Sequence, residues 1–238
     1  MLDAAAASSA EPGSLPEMRR CLVLALALFA VSCGGSPPTG PAPDPDELVT
    51  GAIAAMRAVP SAHFEMSRSG AVVTIEGLAF DRAIGRYAAP ASAEAVLQMH
   101  AGDLAVELGT KSIGDQTWLT NPLTGRWGEL SGGFNPAVLF DPIEGWAALL
   151  ADLREVSLVR AGGATHQLSG TVPAARIEAL TAGLAEAQEV SLLLWLDAAT
   201  LEITRLEFST EGAEGRSDWV ITMTDFGKPV EIEPPAEG

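Results

Sequence analysis

Apolar residues recur with a period of two along much of this chain, and that pattern constrains its fold more than any other feature. Residues 189–197 put Val190, Leu192, Leu194 and Leu196 on one side, with Ser191, Leu193, Trp195 and Asp197 on the other. Residues 94–100 gather Ala95, Leu97 and Met99; residues 103–109 gather Leu104, Val106 and Leu108 against Asp103, Ala105 and Glu107. Residues 70–80 alternate Ala71, Val73 and Ile75 with Val72, Thr74 and Glu76. Successive side chains of a strand point to opposite faces, so each run reads as a half-buried strand. Further strands are expected at 115–119, 125–130, 155–160, 164–171, 201–209 and 217–226. Turn signals separate the runs: Gly85, Ala101-Gly102, Gly114-Asp115, Asn121-Pro122-Leu123-Thr124 and Asp197-Ala198-Ala199-Thr200. Turns this short make neighbouring strands antiparallel.

Three segments switch to a helical period. Asp44-Pro45-Asp46-Glu47 has an acidic N-cap, Pro at the first helical position and Glu at the third. Leu48, Ala52, Ala55, Met56 and Val59 follow at helical spacing, and Pro60 stops the helix. Asp141-Pro142-Ile143-Glu144 repeats the start signal, ahead of a stripe of Ile143, Trp146, Ala147, Leu150 and Leu153. A third helix is expected over residues 173–187, with Ile177, Leu180 and Leu184 on one side. The sum is an α+β fold: a large curved antiparallel sheet covered by a few helices.

The N-terminal residues fix the compartment. An uncharged run from Cys21 to Ser32 follows Arg19-Arg20 and ends in Phe29-Ala30-Val31-Ser32-Cys33. A positive start, a short apolar stretch and a small residue before the cut make a signal peptide. A Cys directly after the cut makes a lipobox, whose thiol takes a diacylglyceryl group. Translation is expected to start at Met18, because Asp3, Glu11 and Glu17 are foreign to a signal start. The apolar run falls short of the about 20 residues that span a bilayer. The expected organisation is a signal peptide over 1–32, the lipidated Cys33 with a Gly- and Pro-rich tether to residue 43, and one domain over 44–238. The protein is then lipid-anchored to the cell membrane on its extracytoplasmic face. The chain has only two Cys, and Cys21 leaves with the signal, so no internal disulfide holds the domain.

Charge and motifs narrow the function. The formal net charge is −17, from 31 acidic against 14 basic residues. No two Lys or Arg are adjacent after Arg20, so a nucleic-acid groove is not expected. His63, His100 and His166 form no metal-ligand spacing, and there is no nucleophile elbow, phosphate loop or calcium loop. No enzyme, metal or cofactor is expected.

One family shares this layout. The residues that carry the likeness are Asp141-Pro142 with Leu149-Leu150, Gly170-Thr171-Val172-Pro173, Val190 to Asp197 with Thr200-Leu201 and Arg205, and Thr224-Asp225-Phe226-Gly227-Lys228-Pro229-Val230-Glu231-Ile232 with Pro234. Together they resemble the mycobacterial lipoproteins LppX, LprA, LprF and LprG, within the wider LolA/LolB-like group. Residues 61–130 depart from those members. The resemblance implies a half-open antiparallel β-barrel with helices over its mouth and an apolar cavity for acyl chains of lipids or glycolipids. It implies a monomeric carrier that takes lipid through the envelope, with an envelope transporter as a partner. Each buried CH₂ contributes about 0.8 kcal/mol, so one chain of about sixteen carbons gains on the order of 10 kcal/mol.

The candidate cavity residues are Val73, Ile75, Leu97, Met99, Val106, Leu150, Leu194 and Leu196 on the concave face or its helical cover, with Trp146 near the mouth. Alanines in the helices (Ala52, Ala54, Ala55, Ala147, Ala148) would leave room beneath them. The same alternation also describes an ordinary packed core. An alternative function is an interaction or sensor lipoprotein of the same fold that binds a protein or peptide. A hydrolase would need His gathered with Ser or Asp in a cleft.

Overall fold

A computed structural model describes residues 42–236, apart from 76, 131–134, 142–144, 182 and the side chain of Ile75. Cys33, the signal peptide and most of the tether lie outside the described residues.

The first element is helix α1 (Pro45–Arg57). Asp44 caps it, its carboxylate accepting from the Asp46 amide at 2.9 Å. The chain then runs through strands β1 (Ser61–Gly70), β2 (Thr74–Ile75), β3 (Leu78–Ala88), β4 (Ser92–Ala101), β5 (Leu104–Ile113), β6 (Gln116–Thr120) and β7 (Trp127–Leu130). A 3-10 turn (Pro136–Phe140) and helix α2 (Trp146–Ala151) follow. Strands β8 (Arg154–Arg160) and β9 (Thr165–Val172), helix α3 (Ala174–Leu180), and strands β10 (Val190–Asp197), β11 (Ile203–Gly212) and β12 (Gly215–Thr224) complete the order.

All the strands join one antiparallel sheet. Its order is β7-β6-β5-β4-β3-β1-β12-β11-β10-β9-β8, with β2 paired to β3 off this path. The edge strands β7 and β8 do not pair, so the sheet stays an open half-barrel. The β1–β12 pairing joins the first strand to the last and ties the two halves into one surface. A lone Tyr, Phe or Leu on such a surface is ordinary; a row of them in register builds a wall.

That row exists. Pairing partners run Leu158, Leu168, Leu194, Leu206, Ile221, Met66, Ala83, Leu97, Leu108 across nine consecutive strands of the path, β8 to β5. A second row sets Met223, Phe64, Gly85, Ala95, Thr110 and Leu119 in register. The opposite face carries Glu65, Arg82, Gln98 and Glu107 at the intervening positions.

The helices cover the aliphatic rows. Helix α1 packs on α2 and reaches β8; the 3-10 turn packs on β3, β4 and β5 and against α2 and α3. Leu48, Ala52 and Met56 are the buried stripe of α1, while Ala54 faces solvent. Thus of the alanines expected to thin the helix layer, Ala52, Ala147 and Ala148 face inward and Ala54 does not.

Several expectations need correction. Residues 70–80 are not one strand. The chain leaves β1 at Gly70 with φ 91°, and only Thr74–Ile75 pair before β3 begins. Gly85 is not a turn but lies inside β3, where a Cβ would collide with the Phe64 ring. Helix α3 ends at Leu180 rather than continuing to residue 187, and Leu184 packs on the core from the loop beyond. Residues 142–144 of the second start signal lie outside the described residues; α2 itself begins after Gly145, not Asp141. The 3-10 turn, which the hydrophobic period does not reveal, is capped by Asn135, whose Oδ1 accepts from the Ala137 amide at 2.9 Å.

Candidate functional site

The aliphatic face and its helical cover are the candidate site, and the strand period places most of the candidate residues there. Leu194 and Leu97 stand in the first row; Leu196, Met99 and Val106 lie on the same face of β10, β4 and β5. Trp146 and Leu150 come to it from α2. Val73 packs on the edge of this core from the loop before β2. Ile75 is in β2, and its side chain is outside the described residues.

Among the described residues the space between sheet and helices is closed around most of the candidates, while Val73 and Val106 are half-buried. Leu194 and Leu196 are 0% exposed, Trp146 and Leu150 1%, Leu97 and Met99 2%. A gap wide enough for a hydrocarbon tail would leave its walls accessible to water, so these side chains line no such gap here. They belong to one continuous core with the inner faces of α1, α2 and the 3-10 turn.

Two aromatic clusters hold the ends. Phe80, Trp219 and Phe208 stack side by side, with Trp219 6.2 Å from Phe80 and 6.0 Å from Phe208 between ring centroids. The Trp219 indole donates to Thr210 Oγ1 at 2.9 Å. At the other end Phe140 of the 3-10 turn lies over Tyr87 of β3 and beside Phe64 of β1. Burial pushes the Tyr87 phenol above its usual pKa, and the nearby Asp141 carboxylate adds to the rise.

The closed interior keeps polar atoms without partners. Among the described residues, Trp146 Nε1, Thr110 Oγ1 and the His166 Nδ1 of β9 are buried without a hydrogen bond. Leaving a buried donor or acceptor unpaired costs about 1–3 kcal/mol, so each is a point where a bound polar group would be welcome. The sequence places Trp146 near the mouth, but the indole is fully buried.

A rim cavity of about 210 Å³ opens beside the Trp219 cluster. Val73 and Thr74, Leu184 and Ala185, and the β11–β12 hairpin line it, with Thr210 and Ser217 from the inner face. Strand and helix periods give no sign of it, because its walls come from two loops and a hairpin.

The three histidines stay apart on β1, β4 and β9. His100 pairs with Asp81 at 2.7 Å on the outer surface. Among the described residues no cluster of three His, Cys, Asp or Glu could hold a metal, and no helix is long and apolar enough to cross a membrane.

The geometry and the sequence meet in one family. The model of the LppX_LprAFG lipoprotein family matches residues 44–232, nearly the whole described region. The chain belongs to the LppX/LprAFG lipoproteins. The crystal structure of LprF from Mycobacterium bovis superposes at TM-score 0.62 with 16% identity, covering 83% of this chain and 100% of that one. LppX from Mycobacterium tuberculosis superposes at 0.56 with 16% identity, covering 80% and 100%. At those identities the likeness establishes the fold alone: the half-barrel and its helical cover. A LolA superfamily protein from Nitrosomonas europaea is a fainter likeness, at TM-score 0.35 and 12% identity, covering 81% and 96%. No curated protein matches the chain. The family model's match runs through residues 61–130, where the sequence alone predicts a departure, and the strands β1 to β7 that these residues form belong to the same sheet.

Proposed function

We propose that this LppX/LprAFG lipoprotein is anchored to the cell membrane through an acylated Cys33 and carries lipid or glycolipid acyl chains between its sheet and its helices. The observation that carries the reading is the unbroken aliphatic row from Leu158 to Leu108. It offers a hydrocarbon chain a continuous apolar wall, with no charged side chain in the row. Val73, Ile75, Leu97, Met99, Val106, Leu150, Leu194 and Leu196 are its proposed lining, and Trp146 the indole that meets the polar end of the lipid.

Because the interior is closed, uptake requires α1, α2 and the 3-10 turn to part from the sheet. Burying a chain of about sixteen carbons contributes on the order of 10 kcal/mol, enough to offset drawing the helices away from the sheet. The rim cavity beside Thr210 and Ser217 is the proposed point of entrance. The domain would receive lipid from an envelope transporter and act as a monomer, with no covalent chemistry.

Brominated acyl chains test this directly, since bromine quenches only the indoles it approaches. Loading the full chain with dibromostearate should quench Trp146 and Trp219, both buried on the inner side, and spare Trp195 on the outer face. Single-tryptophan variants assign the signal. Quenching of Trp195 alone, or of no indole, would place the chain elsewhere.

A second reading has its own observation. The closed packing of Leu194, Leu196, Trp146 and Leu150 suits a filled scaffold that binds a protein or peptide partner at its surface. Purification that yields a stoichiometric protein and no lipid would favour it.

A further inference from the structure

We infer that the outer face of β1, β3, β4 and β5 holds a second ligand site, separate from the interior, for a small amphiphile with a flat apolar body and one anionic end. A pocket of about 320 Å³ opens there, within the size range of small-molecule sites. Its residues alternate with those of the aliphatic rows: Ile84, Arg86, Glu94, Val96 and Lys111 point away from the interior that Ala83, Gly85, Ala95, Leu97 and Thr110 face. The sheet therefore stands between the two sites.

The walls are apolar and one of them is aromatic. Ile84 and Val96 form the floor, and Val96 is 41% exposed. Trp127 of β7 leans back over Gly109 of β5, where a Cβ would come within 2.9 Å of the indole. Glycine at 109 is what lets the ring lie this close, making a flat side wall. An apolar residue left open next to a flat ring is a surface that a planar hydrophobic group would cover.

The rim is cationic on a chain of net charge −17. Glu94 accepts from Arg86 and lies 3.6 Å from Lys111, so two fixed cations meet one carboxylate. Lys111 is held in place: it donates to the Glu233 carbonyl at 3.1 Å and its Nζ lies 5.6 Å from the centre of the Trp127 ring. The local excess of positive charge beside an apolar slot selects a sulfonate, carboxylate or phosphate on an apolar body. This argument is independent of what the interior binds.

The probe is 8-anilinonaphthalene-1-sulfonate, titrated into the full chain by fluorescence, with and without the interior preloaded with palmitate. The site predicts that dye binding persists after loading. It predicts that Val96→Glu and Lys111→Gln each weaken binding about tenfold, and that the neutral N-phenyl-1-naphthylamine binds about tenfold less tightly. Gly109→Ala, which pushes the Trp127 ring aside, should also weaken it, while circular dichroism reports that each variant is folded. Dye binding that palmitate abolishes, or that folded Val96→Glu and Lys111→Gln leave unchanged, overturns the site. Equal affinity for the neutral analogue overturns its anionic end.

Discussion

Phe140 stacks on Tyr87 with ring centroids 4.0 Å apart and planes only 9° from parallel. This stacking clasps the 3-10 turn to β3, and through Phe64 to β1. On the proposed carrier reading, in which the cover must move to admit lipid, this clasp sets the resistance to opening. Phe140→Ala should destabilise the domain by about 2 kcal/mol, because it removes both the half-buried ring and its stacking. Urea unfolding measures the difference. The same variant should take up a fluorescent fatty acid faster than the native protein, and an unchanged uptake rate would remove the 3-10 turn from the opening motion.

Tyr87 also makes the clasp sensitive to alkali. Burial, with a smaller contribution from Asp141, raises its phenol above the ordinary value of 10.0. An acid whose folded pKa is raised keeps its full contribution to stability below the unfolded value and loses it as pH climbs through the folded one. Stability should therefore fall as pH rises beyond about 10. Tyr87→Phe should flatten that part of the pH profile, read by thermal melting between neutral and strongly alkaline pH.

Gly85 makes room for the clasp from below. A Cβ there would collide with both the Phe64 ring and the Glu94 carbonyl. The carbonyl belongs to the paired strand and cannot swing aside. Gly85→Val should cost about 1–3 kcal/mol by overpacking, lowering the urea midpoint without altering the far-ultraviolet spectrum.

Thr110 carries a hydroxyl that is fully buried and without a hydrogen bond. Replacing it by the isosteric valine removes an unsatisfied group, so Thr110→Val should stabilise the ligand-free protein by about 1 kcal/mol. If the hydroxyl serves the polar end of a lipid, the same change should weaken lipid binding. Chemical denaturation and lipid titration of one variant separate the two effects.

The sheet is legible in the sequence where its inner face is large and aliphatic. Val190, Leu192, Leu194 and Leu196 alternate without interruption, and β10 spans Val190–Asp197. Strands β1 and β3 are not legible, because their inner positions include Ala62, Ala83 and Gly85, which carry little hydrophobic signal. Gly85 is there to admit the Phe64 ring, a requirement visible only once the strands are paired. The 3-10 turn is hidden for a related reason. Five residues are too few for a period, and its one local cue is Asn135 before Pro136. The helix starting at Pro45 is legible from its cap and proline. The end of α3 is not, because Ala182, Leu184 and Ala185 continue a helical composition beyond Leu180, where it stops. Candidate residues on β4, β5 and β10 fall on the face that the aliphatic rows occupy, since period fixes the face. Whether that face encloses space or is filled depends on how the helices settle on it, and no spacing in the sequence encodes that.

The most direct measurement is native mass spectrometry of the full chain released gently from its membrane. The account predicts a species heavier than the acylated protein by the mass of one lipid, and predicts that Leu194→Arg, which sets a charge in the middle of the aliphatic row, abolishes it while the anchor on Cys33 remains. A protein that flies empty, and stays empty after incubation with vesicles of envelope lipid, would contradict it.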